Sequence, residues 1–276
     1  VQRNTGLKEA RGEIIYFLDD DSVAPPGNLR RAVEHFRDPK VKIVGGPNLC
    51  PPDAPELEQV FALVLASWLA FGPSRARYAS VGAVRESGEK ELILCNLLAR
   101  RDTMLELGGF NEALYPNEEN ALMDELQKRG DKLIYDPQLI VHRRPRSNLK
   151  AFCKMLKTYG RGRAEQFRET PTLGSALNFV PPMFLVYLVA LPPLIMFAGK
   201  LSLARFALAP LAFYLFVVLL QVLALTPRGG VVRSLCALPL IMLTHVLYGY
   251  GFWRGLFTKL NAAATRAATP VTLERM

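Results

Sequence analysis

The chain has 276 residues, half of them apolar, and a net charge of +9 from 34 Lys and Arg against 25 Asp and Glu. Residues 1–150 hold 21 basic and 22 acidic side chains, a net of −1; residues 151–276 hold 13 and 3, a net of +10. The apolar fraction excludes disorder, and a basic excess confined to the greasier half argues against nucleic-acid binding, where positive charge decorates a polar folded module.

In chain order, residues 5–11 read as a helix closed by Gly12, and residues 13–18 (E-I-I-Y-F-L) as a buried strand of β-branched and aromatic residues. Asp19-Asp20-Asp21-Ser22 follows at once. Three adjacent carboxylates repel one another, so something positive must offset them. Ligands of open α/β sheets bind at the carboxyl ends of strands. If extended geometry persists, Asp19 and Asp21 point the same way. Such carboxylates, together with substrate phosphates, suit Mg²⁺ or Mn²⁺. An acidic triplet suits a solvated, helix-capping turn equally well.

Pro25-Pro26-Gly27 is a turn, and Asn28 is expected to cap a helix over residues 29–37. Residues 41–44 give a second strand. Residues 57–72 are apolar but fall short of the about 20 that a membrane crossing needs, and read equally as a buried or an interfacial helix. Residues 93–99 form a third strand and 103–106 a short helix. Gly108-Gly109 makes a tight turn with Phe110 as a packing anchor. Glu118-Glu119 opens a helix over 119–128 that ends at Gly130. The helix dipole favours acids there, and a general base has the same chemistry. Residues 132–135 and 139–141 are two more short strands. This alternation predicts an α/β layer with a mostly parallel sheet.

Cys50, Cys95, Cys153 and Cys236 are far apart, with no C-x-x-C pair, and read as reduced structural thiols. From Arg143 to Arg168 the chain is strongly basic. Three windows then lack Asp, Glu, Lys and Arg entirely: residues 178–199, 206–227 and 234–253, of 22, 22 and 20 residues. Each is long enough to span a bilayer. Positive charge beside the first window places residues 1–170 on the cytoplasmic side of the cell membrane, where anionic lipid attracts it. Three crossings would put Arg254, Lys259, Arg266 and Arg275 on the far side, against the same rule.

The stretch R-N-T-G-L-K-E-A-R-G-E-I-I-Y-F-L-D-D-D-S (residues 3–22) resembles family 2 glycosyltransferases with a GT-A (Rossmann-like) fold. The resemblance implies a nucleotide-sugar donor and a divalent metal held by a D-x-D motif, with Asp19 and Asp21 at its two fixed positions and Asp20 at the variable one. It makes Asp21 the direct metal ligand and Asp19, with Asp20, the donor-side contact. L-G-G-F-N-E…E-E (residues 107–119) resembles the family's G-G-F-x-E…E-D segment, whose last acid is the proposed base. That assigns the acceptor proton to Glu119, seconded by Glu118, with Glu in place of the usual Asp. C-N-L-L-A-R-R (residues 95–101) resembles the stretch lining the sugar pocket, where Asn96 would bond a sugar hydroxyl. His142 matches a place where many GT-A enzymes put a further metal or phosphate contact.

P-R-S (145–147) and Y-G-R-G-R (159–163) resemble membrane-bound bacterial exopolysaccharide glycosyltransferases of the succinoglycan-synthesis type. There Arg161 and Arg163 would bind the diphosphate or a lipid phosphate. Gly162 stands where that group has Trp, and no Gln-x-x-Arg-Trp motif of processive synthases is present. The expected layout is a partial GT-A domain over 1–147, a basic amphipathic helix over 148–170, a membrane region over 171–258 and a tail over 259–276. The expected acceptor is a lipid-linked or growing glycan; a polyprenyl phosphate, or a catalytically inactive membrane scaffold, is the alternative. In the family, strands ahead of the D-x-D motif build the nucleotide pocket. The resemblance therefore implies an N-terminally truncated domain with an unpaired sheet edge, inactive alone.

Overall fold

The structure, a computed structural model, describes residues 2–112, 118–169, 171, 173–197 and 201–258. The tail 259–276 and residues 113–117, between the Gly108-Gly109 turn and Glu118, lie outside the described residues. The chain forms two compact units, one of Val1–Leu49 with Ala76–Arg143, the other of Cys50–Arg75 with Arg144–Thr258.

The first unit is a layered α/β fold. Helix α1 (Gln2–Glu9) leads into strand β1 (Ile14–Leu18), and α2 (Asn28–His35) into β2 (Val41–Gly45) and β3 (Asn48–Leu49). After the other unit's insertion come β4 (Arg85–Glu86), β5 (Asn96–Arg100), α5 (Arg101–Glu106), α6 (Glu118–Lys128), β6 (Lys132–Tyr135) and β7 (Val141–His142). The main sheet has the order β1-β5-β2-β6-β4, and β3 pairs with β7 beside it.

The expected mostly parallel sheet is corrected to a mixed one. Only β2–β6 is parallel in the main sheet, because β5 inserts antiparallel between β1 and β2, and β4 runs antiparallel to β6. Strand β1 is an edge strand.

Both faces of the sheet are covered. One buries Leu97 and Ala99 of β5 with Leu7, Met104, Leu122, Met123, Leu126 and Leu133 under α1, α5 and α6. The other buries Leu98 with Ala32, Phe36, Val41 and Val44 under α2. The period-2 alternation along β5 makes this division. On β2, Val41 and Val44 share a face although three residues apart, because the register slips between Val41 and Ile43.

Two local expectations are also corrected. Gly27, at φ 92, is the N-cap of α2, and the Asn28 side chain instead donates to the Ile140 carbonyl at 2.6 Å. The first helix ends at Glu9, and Gly12 does not adopt the left-handed backbone of a cap.

The second unit is helical. Helices α3 (Glu56–Leu65) and α4 (Trp68–Phe71) precede α7 (Leu149–Glu169), α8 (Val180–Phe197) and α9 (Leu201–Phe257). Among the described residues, two helical segments are long and apolar enough to cross a membrane, Ala176–Met196 and Phe206–Phe257. The second, at 52 residues, is more than twice the about 20 that one crossing needs. Gly230, at φ 73 and ψ 170, breaks it into two helices. Outward apolar side chains such as Val189, Met196, Phe206, Phe213 and Val232 are 69–80% exposed, which fits a lipid surround better than water.

The segment 57–72 becomes α3 and α4; the helical run from α4 on to Arg77 is bent by 60° from α3, and only together are the two long and apolar enough to cross a membrane. The short α4 has its Leu69 amide and carbonyl bonded to Gln221 and His245 of α9, at 3.0 Å each. Backbone that leaves the helix within an apolar layer must be satisfied in this way.

The expected amphipathic helix is α7. Its buried stripe Phe152, Leu156, Gly160 and Ala164 follows a four-residue step. A side chain at Gly160 would strike the Tyr248 carbonyl of α9, so this glycine sets how closely the two helices approach. Part of the basic stretch is spent internally. Arg144 forks onto Glu58 at 2.6 and 2.7 Å, and Arg168 donates to the carbonyls of Gly255 and Thr258, capping the end of α9.

Candidate active site

The strand directions in the first unit bring the two acidic clusters to one side. β1 is antiparallel to β5 and β5 to β2, so β1, β2 and β6 all end at the same edge. Asp19 follows β1 at that edge. Helix α6 turns into β6 through three residues, so its first residues, Glu118 and Glu119, face the edge where β6 ends.

At the acidic turn, the Ser22 amide donates to the Asp19 carbonyl at 3.0 Å, closing a turn over Asp19–Ser22. Val23 and His142 exchange both backbone hydrogen bonds at 2.8 Å, so the end of β7 is zipped against the acidic turn. That pairing delivers Arg143. Its guanidinium contacts Asp19 Oδ2 at 2.9 Å and Asp21 Oδ1 at 2.6 Å. The positive partner that the D-D-D repulsion demanded is thus a residue of this chain, 122 positions away. Asp20 is exposed. Burial pushes the neighbouring Cys95 thiol up to about 11, despite the nearby Arg143, in keeping with an inert structural cysteine.

The chemistry of this donor set suits a divalent cation. Two carboxylates already converge on one positive group, and carboxylate pairs with phosphates are how Mg²⁺ and Mn²⁺ are held. The expected triad of Asp19, Asp21 and His142 does not assemble: among the described residues, no three His, Cys, Asp or Glu side chains lie close enough to hold a metal ion. His142 Nδ1 is buried beside the turn without a hydrogen-bond partner.

At the second cluster the two acids differ. Glu118 is 5% exposed and ion-paired with Arg3 of α1. Glu119 is recessed, and burial, then the charge of Glu118, push its carboxyl up to about 7; Arg77 offsets this only in part. Arg77 is held by the Glu89 carbonyl and by Asn120 Oδ1 at 2.7 Å. Of two adjacent carboxylates, one is therefore committed to an ion pair and the other is poised to exchange a proton near neutrality. That division is how a fold separates a structural acid from a base. Asn4 straps the Gly108-Gly109 turn below them, donating to the Phe110 carbonyl and accepting from the Phe110 amide at 2.9 Å.

The expected sugar contact Asn96 is corrected. It is fully buried, its amide donates to the carbonyls of Leu139 and Pro47 at 2.6 and 3.3 Å, and its carbonyl accepts from the Tyr16 hydroxyl at 2.8 Å. It ties strand ends together and has no face for a ligand. Arg161 and Arg163 lie on α7 in the other unit, where Arg161 is 3.3 Å from Glu165 and Arg163 donates to Gln166 at 3.1 Å.

Sequence reasoning missed three residues that shape the site: Arg143, Arg3 and Arg77. Only Arg143 had a signal, the uncompensated acidic triplet. It also missed Asp136, which follows β6 and is fully buried. Asp136 accepts from Arg31 at 2.7 and 3.0 Å, from His35 at 2.8 Å and from the Gln138 amide at 2.9 Å. Burial alone would raise its carboxyl; these donors outweigh it, and its pKa lies below the usual carboxylate range.

Two curated relatives, both named pre-mycofactocin glycosyltransferase and coming from Mycobacterium tuberculosis strains CDC 1551 / Oshkosh and ATCC 25618 / H37Rv, are 29% identical to the chain over 161 residues. The match covers 57% of this chain and 32% of each relative, so the chain spans about a third of their length. The profile of glycosyl transferase family group 2 matches residues 14–253, from β1 through the acidic turn, the Glu118-Glu119 helix and nearly all of the apolar helices. A match of that extent identifies the chain as a member of glycosyl transferase family group 2.

Proposed function

We propose that the chain belongs to a metal-dependent, inverting glycosyltransferase of the cytoplasmic membrane. It would move a sugar from a nucleotide-diphosphate donor to a lipid-linked or growing glycan, as in exopolysaccharide synthesis. One observation carries the reading: a carboxylate pair that holds a guanidinium and a recessed glutamate poised near pH 7 stand on the same edge of one sheet. Membership of the family supports the reaction class, and the two named relatives support sugar transfer.

Asp19 and Asp21 would hold Mg²⁺ or Mn²⁺, with Asp20 and His142 beside the donor phosphates. A divalent ion bound there supplies positive charge that stabilises the departing diphosphate. Glu119 takes the proton of the acceptor hydroxyl as that oxygen bonds to the anomeric carbon. The bond from this carbon to the diphosphate breaks, and the nucleoside diphosphate leaves with the electron pair. A base with a pKa near 7 is largely unprotonated at slightly alkaline pH yet still accepts a proton effectively. Glu118 holds α1 through Arg3 and keeps Glu119 basic through its charge. Arg161 and Arg163, on α7, would meet the phosphate of a lipid. Helices α8 and α9 would hold the protein in the membrane.

The test is to supply radiolabelled nucleotide sugars to membranes that contain the full-length protein. Label is expected in an extended lipid-linked oligosaccharide, lost with EDTA and restored by Mn²⁺. A product that is only a lipid-phosphate sugar would move the acceptor to the lipid phosphate itself. Incorporation that survives both EDTA and Asp21→Asn would contradict the metal-dependent reading.

A further inference from the structure

The guanidinium of Arg143 occupies the carboxylate oxygens that a metal would need. We propose that Arg143 is an internal competitor of the metal: its guanidinium and a metal ion exclude one another on the Asp19–Asp21 pair, and the arginine that a metal displaces turns to the donor's phosphates. The proposal rests on the reading of Asp19 and Asp21 as the metal-diphosphate site.

Asp19 Oδ2 and Asp21 Oδ1 lie 2.9 and 2.6 Å from the same side chain. Neither oxygen can serve the guanidinium fully and a divalent ion at once. Of the three like charges in sequence, Asp19 and Asp21 share Arg143 as their counter-ion. Arg143 is 24% exposed, and its backbone is fixed, because its amide donates to the Leu49 carbonyl at 3.0 Å and the preceding His142 is zipped to Val23. Once displaced, its charge therefore remains within side-chain reach of the acidic turn. A half-buried guanidinium needs a new anion, and the diphosphate that arrives with the metal is the anion at hand. Arginine's planar fork suits both partners, a carboxylate pair and a phosphate. Metal and donor are thereby coupled: each makes the other's binding more favourable, and free metal alone is held weakly.

The test measures binding of Mn²⁺ alone to the detergent-solubilised protein by loss of its free electron-paramagnetic signal, and separately the KM for the donor in membranes. Arg143→Gln is expected to tighten Mn²⁺ about tenfold while raising donor KM about tenfold, changes of opposite sign that simple loss of structure would not produce. Arg143→Lys keeps the charge without the fork and is expected to fall between. Adding Asp21→Asn to Arg143→Gln is expected to abolish the gain in Mn²⁺ affinity. If Mn²⁺ binds the wild type through Asp21 but no more tightly in Arg143→Gln, the competitor role is overturned and the metal reading stands. If Mn²⁺ binding is the same in the wild type, Arg143→Gln and the double variant, both fall together.

Discussion

Replacing Glu119 by Gln is expected to cut sugar transfer by about 10²–10⁴-fold, the range that a positioned general base contributes, while making the protein harder to unfold at pH 8. The two effects have one cause. A carboxyl raised to about 7 by burial and by the charge of Glu118 is ionised at pH 8 at a cost that the unfolded chain, with a value near 4.5, does not bear. This group opposes folding above its unfolded value, and the penalty reaches full size once pH exceeds the folded value. From that difference the penalty is on the order of 3 kcal/mol. A neutral amide of the same shape removes it. The gain in melting temperature should therefore be present at pH 8 and fade toward pH 5. A transfer rate within about threefold of wild type, or a variant less stable at pH 8, would argue against Glu119 as a strained base.

The second large effect concerns stability alone. Asp136→Asn leaves Arg31 and His35 facing an amide where they held a buried carboxylate, and breaking such a pair is expected to cost about 3 kcal/mol. Because the folded pKa of Asp136 is depressed, its contribution is complete above the unfolded value of about 4 and is lost as pH falls through the lower folded value. Thermal unfolding of the solubilised protein at pH 7 and pH 3 reads both points. The variant should lose most relative to wild type at pH 7 and less at pH 3. An unchanged melting temperature at pH 7 would show that the Arg31–Asp136–His35 cluster does not hold α2 to the sheet.

Much of this was legible locally. The strand β1 announced itself by a run of β-branched and aromatic residues, and the acids at its end followed without a gap. Strand β6 fell at the expected residues for the same reason. The apolar windows needed only counting. What was hidden is long-range. Nothing in E-I-I-Y-F-L tells that its neighbour is residues 96–100 rather than residues 41–45, so the sheet read as parallel when β5 divides it. Asn96 sits in a small-residue stretch that invites a ligand reading. Its fate is decided by Tyr16, Pro47 and Leu139, from three other segments. The difference between Glu118 and Glu119 depends on Arg3 and Arg77, more than 40 residues away in either case. Charge clusters are visible in a sequence; the partner that commits one member and leaves the next available is visible only in the fold.

The most direct test of the account is the pH dependence of kcat/KM for transfer, compared between wild type and Glu118→Gln in membranes. The acid limb of the wild type is expected to break near pH 7, where Glu119 loses its proton. Removing the Glu118 charge should lower that break by about one unit, while the Arg3 contact is lost in the same change. A wild-type limb in the ordinary carboxylate range near pH 4, or a limb near 7 that Glu118→Gln does not move, would contradict Glu119 as the acceptor's base.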